Sequence, residues 1–150
     1  GDGSMDRALL VANHEADMAD LLLYLGNADN TMTLALNKKA LVWKGAMWGT
    51  LPSLALSGKE SLLIKSANDA IGRNRWSQTL TVAYRNQAFV MAGYTYNEYD
   101  TLEPNAKGTQ CDVNLLTGKG SYNGKAITRP TKAPLLNDWN EEGVIKECQP

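Results

Sequence analysis

The sequence has 150 residues, the length of one typical domain, and a chain of this size buries about two thirds of the surface that its unfolded form exposes. Hydrophobic residues make up 43% of it and charged residues 21%, which excludes a disordered or low-complexity chain. The longest apolar runs, such as LLLYL at Leu21–Leu25, are far shorter than the roughly 20 residues of a membrane helix. We therefore expect a single domain over residues 1–150 with no membrane span.

The net charge of −1 hides an uneven distribution along the chain. Residues 1–36 carry six acidic side chains and one base, whereas residues 37–96 carry eight bases and two acids, a net charge of +6. A nucleic-acid surface needs its bases clustered on one face with aromatic residues between them. The lysines of the basic segment instead fall at predicted strand ends and turns, so we expect no nucleic-acid partner.

The chain begins with GDGSMD, in which oxygen-bearing side chains are interrupted by a glycine. This pattern resembles half of a calcium loop, with Asp2 and Asp6 as the candidate ligands. The segment lacks a distal glutamate at the spacing of a calcium loop, so calcium binding is kept only as an additional hypothesis. No other cofactor is expected. Residues 1–6 are interpreted as either a tag or a flexible start.

The usual sets of catalytic residues are missing from the sequence. His14 is the only histidine, which excludes a multi-histidine metal site, and it lies in the polar turn HEAD with Glu15 and Asp17. The GKG at 118–120 lacks the spacing of a phosphate loop and is interpreted as a turn. The chain is therefore expected to be a binding protein rather than an enzyme.

Short apolar segments recur about every ten residues through the first half of the chain, with Gly, Asn, Asp and Pro between them. This spacing is typical of an antiparallel meander, sandwich or barrel, so the predicted fold class is all-β. The predicted strands are Ala8–Ala12, Asp20–Gly26, Thr31–Asn37, Ala40–Lys44, Ser53–Ser57 and Ser61–Ser66. Helical turns are predicted only within His14–Asp20 and Pro134–Lys146.

A long hairpin is predicted at the centre of the sheet. Apolar and polar residues alternate from Arg75 to Arg85, the alternation turns over at Asn86-Gln87, and Ala88–Glu98 resumes as a second strand. If the loop has two residues, the numbers of facing residues sum to 173. The predicted pairs are Tyr84 with Phe89, Val82 with Met91 and Leu80 with Gly93.

The C-terminal third is predicted to be less regular. An irregular segment at Asp100–Gln110 precedes a strand at Val113–Leu116 and a return strand at Tyr122–Thr128, and residues 128–150 form an extended tail. The two cysteines, Cys111 and Cys148, have no metal or redox spacing and are predicted to form a disulfide that holds this tail. The alternative is two free thiols in a cytoplasmic protein.

Tyrosine, tryptophan and arginine residues cluster near the ends of the predicted hairpin. Tyr94, Tyr96 and Tyr99 fall in one stretch, and Trp43 and Trp48 flank another loop. Wide, stiff aromatic side chains with a polar group suit the recognition of a protein or a glycan. Packing of Tyr94 and Tyr96 in the core is an open alternative, because the two residues share one face of a strand.

Several short motifs in this region form a recognisable pattern: RW at 75–76, YR at 84–85, AGYTY at 92–96, YDT at 99–101 and DVNLLTGK at 112–119. Over residues 73–120 the chain resembles a group of uncharacterised bacterial proteins that mostly carry export signals. Its Asp/Gly-rich start also resembles the edge of calcium-binding propeller repeats. The resemblance implies a β fold and an envelope location, periplasmic or secreted, and it assigns no catalytic residue.

The leading functional hypothesis is a small extracytoplasmic binding or structural module of a bacterial envelope, with a protein or glycan ligand. The candidate binding residues are Arg73, Arg75, Trp76, Tyr96, Tyr99, Asp100, Asp112 and Asn114. The alternative is a hydrolase of an envelope polymer that uses two carboxylates, such as Asp100 and Asp112, for acid–base chemistry.

Overall fold

The structure is a computed structural model that describes residues 3–58, 60–131, 133–140 and Cys148. Its strands are β1 (Arg7–Asn13), β2 (Met18–Gly26), β3 (Met32–Trp43), β4 (Ser53–Leu56), β5 (Leu62–Asn68), β6 (Asn74–Arg85), β7 (Ala88–Asp100), β8 (Thr109–Asn114), β9 (Lys119–Tyr122) and β10 (Lys125–Thr128), with one 3-10 turn, η1, at Leu136–Asp138. The predicted all-β, antiparallel fold class is confirmed. Among the described residues, no helix is long and apolar enough to cross a membrane.

The strands form two sheets that are not closed into a barrel. The larger sheet has seven strands, β10-β9-β8-β7-β6-β5-β4, and each strand pairs with the next in the chain. The smaller sheet has the order β1-β2-β3. β1 approaches β4 and β3 approaches β5, so the small sheet covers one face of the large one.

The core lies between the two sheets because each strand alternates apolar and polar residues and so presents one apolar face. The small sheet contributes Leu21, Leu23, Leu36 and Val42, and the large sheet contributes Ile64, Leu80, Met91, Tyr94 and Val113, all of them buried. The opposite face of the large sheet is polar, as in the row Lys65, Thr79, Thr95, Asp112 and Ser121. The two-residue alternation of the sequence therefore separates core from surface.

The predicted hairpin is β6–β7, and its register agrees with the prediction near the turn. Tyr84 faces Phe89 and Val82 faces Met91, but the predicted pairing of Leu80 with Gly93 is wrong. A bulge at Ala92 inserts one extra residue into β7, so that Leu80 faces Tyr94 and Thr81 faces Gly93. The bulge places Tyr94 on the core face beyond it.

The two strands predicted at Thr31–Asn37 and Ala40–Lys44 are one strand, β3. Ala40 adopts a left-handed conformation, with φ of 47°, and the register of β2 against β3 shifts beside it, between Ala19 and Leu21. The irregularity lets the strand continue through the polar Asn-Lys-Lys sequence instead of ending there.

Helix predictions near both ends are corrected by the structure. Residues 14–17 are a turn, and Met18–Asp20, which the helical interpretation included, already belong to β2. The alternating Ala19, Leu21 and Leu23 all point into the core, which a helical turn would prevent. Of Pro134–Lys146, Leu136–Asp138 form a 3-10 turn, and residues 141–147 lie outside the described residues.

The strands after β7 also differ from their predicted bounds. β8 begins at Thr109 and ends at Asn114. The strand ends there because the side chain of Asn114 accepts hydrogen bonds from the N–H groups of Leu116 and Thr117 and closes a turn. The predicted return strand at Tyr122–Thr128 is interrupted by a turn at Asn123-Gly124: Tyr122 ends β9, and Lys125–Thr128 form β10, which pairs with β9.

The tail returns along β7 and closes the core. The N–H of Met91 donates to the carbonyl of Pro134 at 2.9 Å, and Leu135 bridges Val90, so the tail pairs with β7 where β8 has turned away. Trp139 packs against Tyr94, with ring centroids 6.0 Å apart. Cys111 and Cys148 form a disulfide, with 5.5 Å between their Cα atoms, which confirms the predicted pairing.

Candidate functional site

Four loops meet at one end of the sandwich, and we call this region the loop end. Its loops comprise residues 14–17, 44–52, 69–73 and 101–108. Backbone hydrogen bonds join them in sequence: Lys44 N–H donates to Asp17, Asp69 N–H to Gly49 and Thr101 N–H to Arg73, at 2.9, 3.1 and 2.9 Å. Loops held to one another in this way can present side chains in fixed positions.

Arg73 is the last loop residue before β6 and is held by two acidic side chains. Its Nε donates to both carboxylate oxygens of Asp100, at 2.9 and 2.8 Å, and its Nη2 lies 3.4 Å from Glu103. The hydrogen bond from Arg73 and a second one from the N–H of Leu102 lower the pKa of Asp100. The structure therefore brings the predicted residues Arg73 and Asp100 together as an exposed, pre-oriented ion pair.

Arg75 and Tyr99 face each other directly across β6 and β7. The Tyr99 side chain is half exposed, whereas the Nη1 atom of Arg75 is buried and has no hydrogen-bond partner among the described residues. A buried donor without an acceptor costs free energy, typically about 1–3 kcal/mol. This pair combines an aromatic surface with a cationic donor that lacks an acceptor in the described chain.

Trp76 and Tyr96 were predicted to be ligand-binding residues, but both lie on the core side of the large sheet. Trp76 packs against Trp43, with ring centroids 5.6 Å apart, and against Tyr96, at 6.4 Å. Burial and a hydrogen bond from the Tyr96 hydroxyl to Glu98, 3.0 Å long, raise the pKa of Tyr96. For Tyr94 and Tyr96, which stack 6.4 Å apart, the geometry favours the packing alternative.

Asp112 and Asn114 lie apart from the loop end, on β8. Asp112 accepts a hydrogen bond of 2.7 Å from the hydroxyl of Thr95 across the strand pair. Asn114 closes the turn after β8, and Gly118, in the left-handed region at φ of 70°, continues it. A Cβ atom at Gly118 would overlap the carbonyl oxygen of Arg129, so the Asn and Gly of the DVNLLTGK motif are explained by the turn they form.

The structure does not bring Asp100 and Asp112 together as a catalytic pair. Asp112 faces Thr95, and Asp100 lies five residues further along β7. Five residues of strand span roughly 17 Å, and the odd number places the two side chains on opposite faces. Paired carboxylates in glycoside hydrolases are about 5–9.5 Å apart.

The calcium hypothesis concerns residues at the start of the chain. Asp2 lies outside the described residues, and Asp6 accepts a hydrogen bond of 3.0 Å from the N–H of Gly26. Within the described ranges, no group of three His, Cys, Asp or Glu side chains is arranged to hold a metal ion. His14 lines a shallow polar depression with Asp17 and Lys44.

One exposed aromatic residue at the loop end was absent from the predicted site. The side chain of Trp48 is 92% exposed, more than any other large hydrophobic residue of the described chain. A signal for it exists in the sequence, because no charged residue occurs from Gly45 to Gly58. A large apolar side chain exposed within such a segment is the kind of surface feature that often marks a site of interaction.

The loop end thus joins an exposed ion pair, an arginine with a donor lacking an acceptor, and exposed aromatic side chains. Such a surface can bind a ligand that offers hydrogen-bond acceptors and an apolar face. Comparisons of the chain with protein-family models, with curated proteins and with solved structures find no match. The geometry of the loop end is therefore the main structural indication of function.

Proposed function

We propose that the chain is a small extracytoplasmic binding module of a bacterial envelope, which holds a protein or glycan ligand at the loop end. The Cys111–Cys148 disulfide supports an oxidising compartment, since such bridges persist mainly outside the cytoplasm. The resemblance of residues 73–120 to exported bacterial proteins supports the envelope. A purely structural role in the same compartment is the other form of this proposal.

The observation that carries the binding proposal is the pair formed by Arg75 and Tyr99. The partly exposed side chain of Arg75 would donate hydrogen bonds to a carboxylate, carbonyl or hydroxyl group of the ligand, and its buried Nη1, which has no partner among the described residues, would have to turn outward to take part. Tyr99, directly opposite, offers the ring on which a sugar or an apolar side chain of the ligand would rest. Arg73, fixed by Asp100, adds a second guanidinium beside them.

The test is capture of a partner from an envelope extract by the immobilised protein. We expect Tyr99→Ser and Arg75→Gln each to remove the captured species while the melting temperature changes little. Trp76 is unsuited to this test, because its contacts with Trp43 and Tyr96 make its replacement a change in packing.

Tyr84 supplies a matched control, since it is also about half exposed but lies beside the hairpin turn at Asn86-Gln87. Tyr84→Ser should leave capture unchanged. Equal capture by wild type and by both loop-end variants would show that this surface is not the binding site.

A further inference from the structure

The loop between β3 and β4 projects an apolar tip at the loop end. Met47, Trp48 and Leu51 on this loop are 51%, 92% and 55% exposed, and Ile71 on the neighbouring loop is 48% exposed. The bond from Asp69 N–H to the Gly49 carbonyl holds the two loops side by side. We define the apolar tip as Met47, Trp48, Leu51 and Ile71.

The tip is built as a fixed turn rather than a loose loop. Thr50 is fully buried beneath it, and its N–H and hydroxyl both donate to the carbonyl of Met47, at 3.1 and 2.6 Å. The N–H of Met47 donates to the Thr50 hydroxyl at 3.2 Å, and Gly45 N–H donates to the Thr50 carbonyl at 3.0 Å. Holding the turn in this way keeps Trp48 projecting outward.

The charge pattern around the tip is unusual for a protein surface. The 14 residues from Gly45 to Gly58 carry no charged side chain, while Lys44 and Lys59 flank them in the sequence. One acid, Asp69, lies beside Gly49. The residues from Gly45 to Gly58 offer no charged group to a partner that binds through charge. An apolar or amphipathic medium that covered them would not have to bury a charged side chain of this segment.

We propose that the apolar tip docks the protein on the surface of a phospholipid bilayer, with Trp48 inserted at the boundary between headgroups and acyl chains. Three observations carry this inference. A side chain as exposed as Trp48 projects where the bilayer interface can surround it, and tryptophan prefers that interface. The backbone groups of Met47 and Thr50 and the carbonyl of Gly49 are hydrogen-bonded within the protein, which lowers the cost of bringing the turn into an apolar medium. The uncharged segment brings no ionised group of its own into the lipid.

Insertion of this kind is driven by apolar transfer and not by attraction to anionic lipid. The tip itself contains no charged residue, and its two loops carry charges of both signs, Asp69 together with Lys44 and Arg73. Binding to zwitterionic vesicles should therefore be about as strong as binding to anionic ones and should persist when the salt concentration is raised.

The test uses the whole chain with vesicles of phosphatidylcholine, and with vesicles of phosphatidylcholine and phosphatidylglycerol in equal parts. Co-sedimentation measures binding, and tryptophan emission reports insertion, because Trp48 is far more exposed than Trp43, Trp76 or Trp139. We expect sedimentation with phosphatidylcholine vesicles and a shift of the emission to shorter wavelength. Trp48→Ala should weaken binding about tenfold and remove the shift, at an unchanged melting temperature.

Leu56 provides the matched control, because it is 78% exposed on the same uncharged segment but lies at the far end of β4. Leu56→Ala should bind vesicles as the wild type does. Failure of the wild type to sediment with either vesicle, an equal loss in Leu56→Ala, or binding only to the anionic vesicles at low salt would each overturn the inference.

Lipid binding by the apolar tip and ligand capture through Arg75 and Tyr99 involve different residues, so they can be tested separately. Arg75→Gln and Tyr99→Ser should still bind vesicles, since neither residue belongs to the apolar tip. Wild-type protein that captures a partner but does not sediment with vesicles would overturn this inference alone. Vesicle binding lost in Tyr99→Ser would instead show that the lipid contact is not centred on the tip.

Discussion

The carboxylate of Asp20 accepts a hydrogen bond of 2.8 Å from the backbone N–H of Ala40, the residue at which β3 enters the left-handed region. The same carboxylate accepts hydrogen bonds from the side chains of Asn13, on β1, and Lys39, on β3, at 3.0 and 2.8 Å. Asp20 is only 5% exposed although it belongs to the face of β2 opposite the core. One buried carboxylate therefore ties together all three strands of the small sheet.

Replacing Asp20 should destabilise the protein substantially. Asp20→Ala leaves the N–H of Ala40 and the amide of Asn13 without their acceptor, which should lower the free energy of unfolding by about 1–3 kcal/mol. Urea unfolding at neutral pH measures the change. Glu15→Ala, which removes an exposed acid from the adjacent turn, should stay within about 0.5 kcal/mol of wild type. An Asp20→Ala variant as stable as Glu15→Ala would contradict the role of the carboxylate.

The stability of the small sheet should also depend on pH through Asp20. Burial acts to raise the pKa of this carboxyl, but the hydrogen bonds from Lys39, the Ala40 N–H and Asn13 together lower it below its usual value. A lowered pKa gives stability that is present above the unfolded value, about pH 4, and is lost as the pH falls through the folded value. The stability difference between wild type and Asp20→Asn should therefore be largest near neutral pH.

Urea unfolding of the two proteins at about pH 7 and about pH 3 measures this difference. It should shrink at the lower pH, where the wild-type carboxyl begins to take up a proton. A difference that stays constant or grows on acidification would mean that the charge of Asp20 contributes nothing to folding.

The β6–β7 hairpin shows how far alternation alone can predict a register. Near the turn the pairs follow from the two-residue loop at Asn86-Gln87, but the run from Phe89 to Ala92 is wholly apolar and gives no sign of which residue is inserted. The bulge at Ala92 is specified by packing between sheets, which a single strand does not encode. The Asn123-Gly124 turn carries a strong hairpin signal, yet the predicted strand Tyr122–Thr128 runs through it, because the glycines before it are interpreted as the turn.

The candidate site was predictable in part for a similar reason. Arg73 and Asp100 flank the predicted hairpin ends, and pairing of β6 with β7 brings them together. The alternation within β6 places Trp76 on the same face as the core residues Leu80 and Val82, so its position on the core side could be predicted. The face of Tyr96 could not, because the bulge at Ala92 moves Tyr96 to the side of β7 that carries Met91.

The turn between β6 and β7 offers a stabilising substitution. Asn86 and Gln87 both have positive φ, 49° and 62°, which is the geometry of a type I′ turn. Glutamine is strained there, whereas glycine is not, so Gln87→Gly should raise the free energy of unfolding by about 0.5–1 kcal/mol. Gln110→Gly, an exposed strand position of β8, should instead lower it by a similar amount. A loss of stability in Gln87→Gly would contradict the assigned turn.

The disulfide should matter more for the tail than for the sheets. Cys111 lies on β8 and Cys148 is 37 residues further along the chain, so the bond closes a loop that contains β9, β10 and the tail. Closure of a loop of this length disfavours the unfolded chain by about 4 kcal/mol in the chain-entropy model. The double variant Cys111→Ser/Cys148→Ser should lose about this much stability in urea, and a reducing agent should shift the unfolding midpoint of the wild type only.

Packing of the tail is a separate contribution that a second variant measures. Leu136 is fully buried on η1, which contacts both β3 and β7, so Leu136→Ala should cost about 2–5 kcal/mol with the disulfide intact. If the disulfide acts mainly on the unfolded chain, Leu136→Ala should cost nearly the same in the double serine variant. A cost that disappears without the disulfide would mean that the covalent bond, rather than the apolar contact of Leu136, holds the tail against β7.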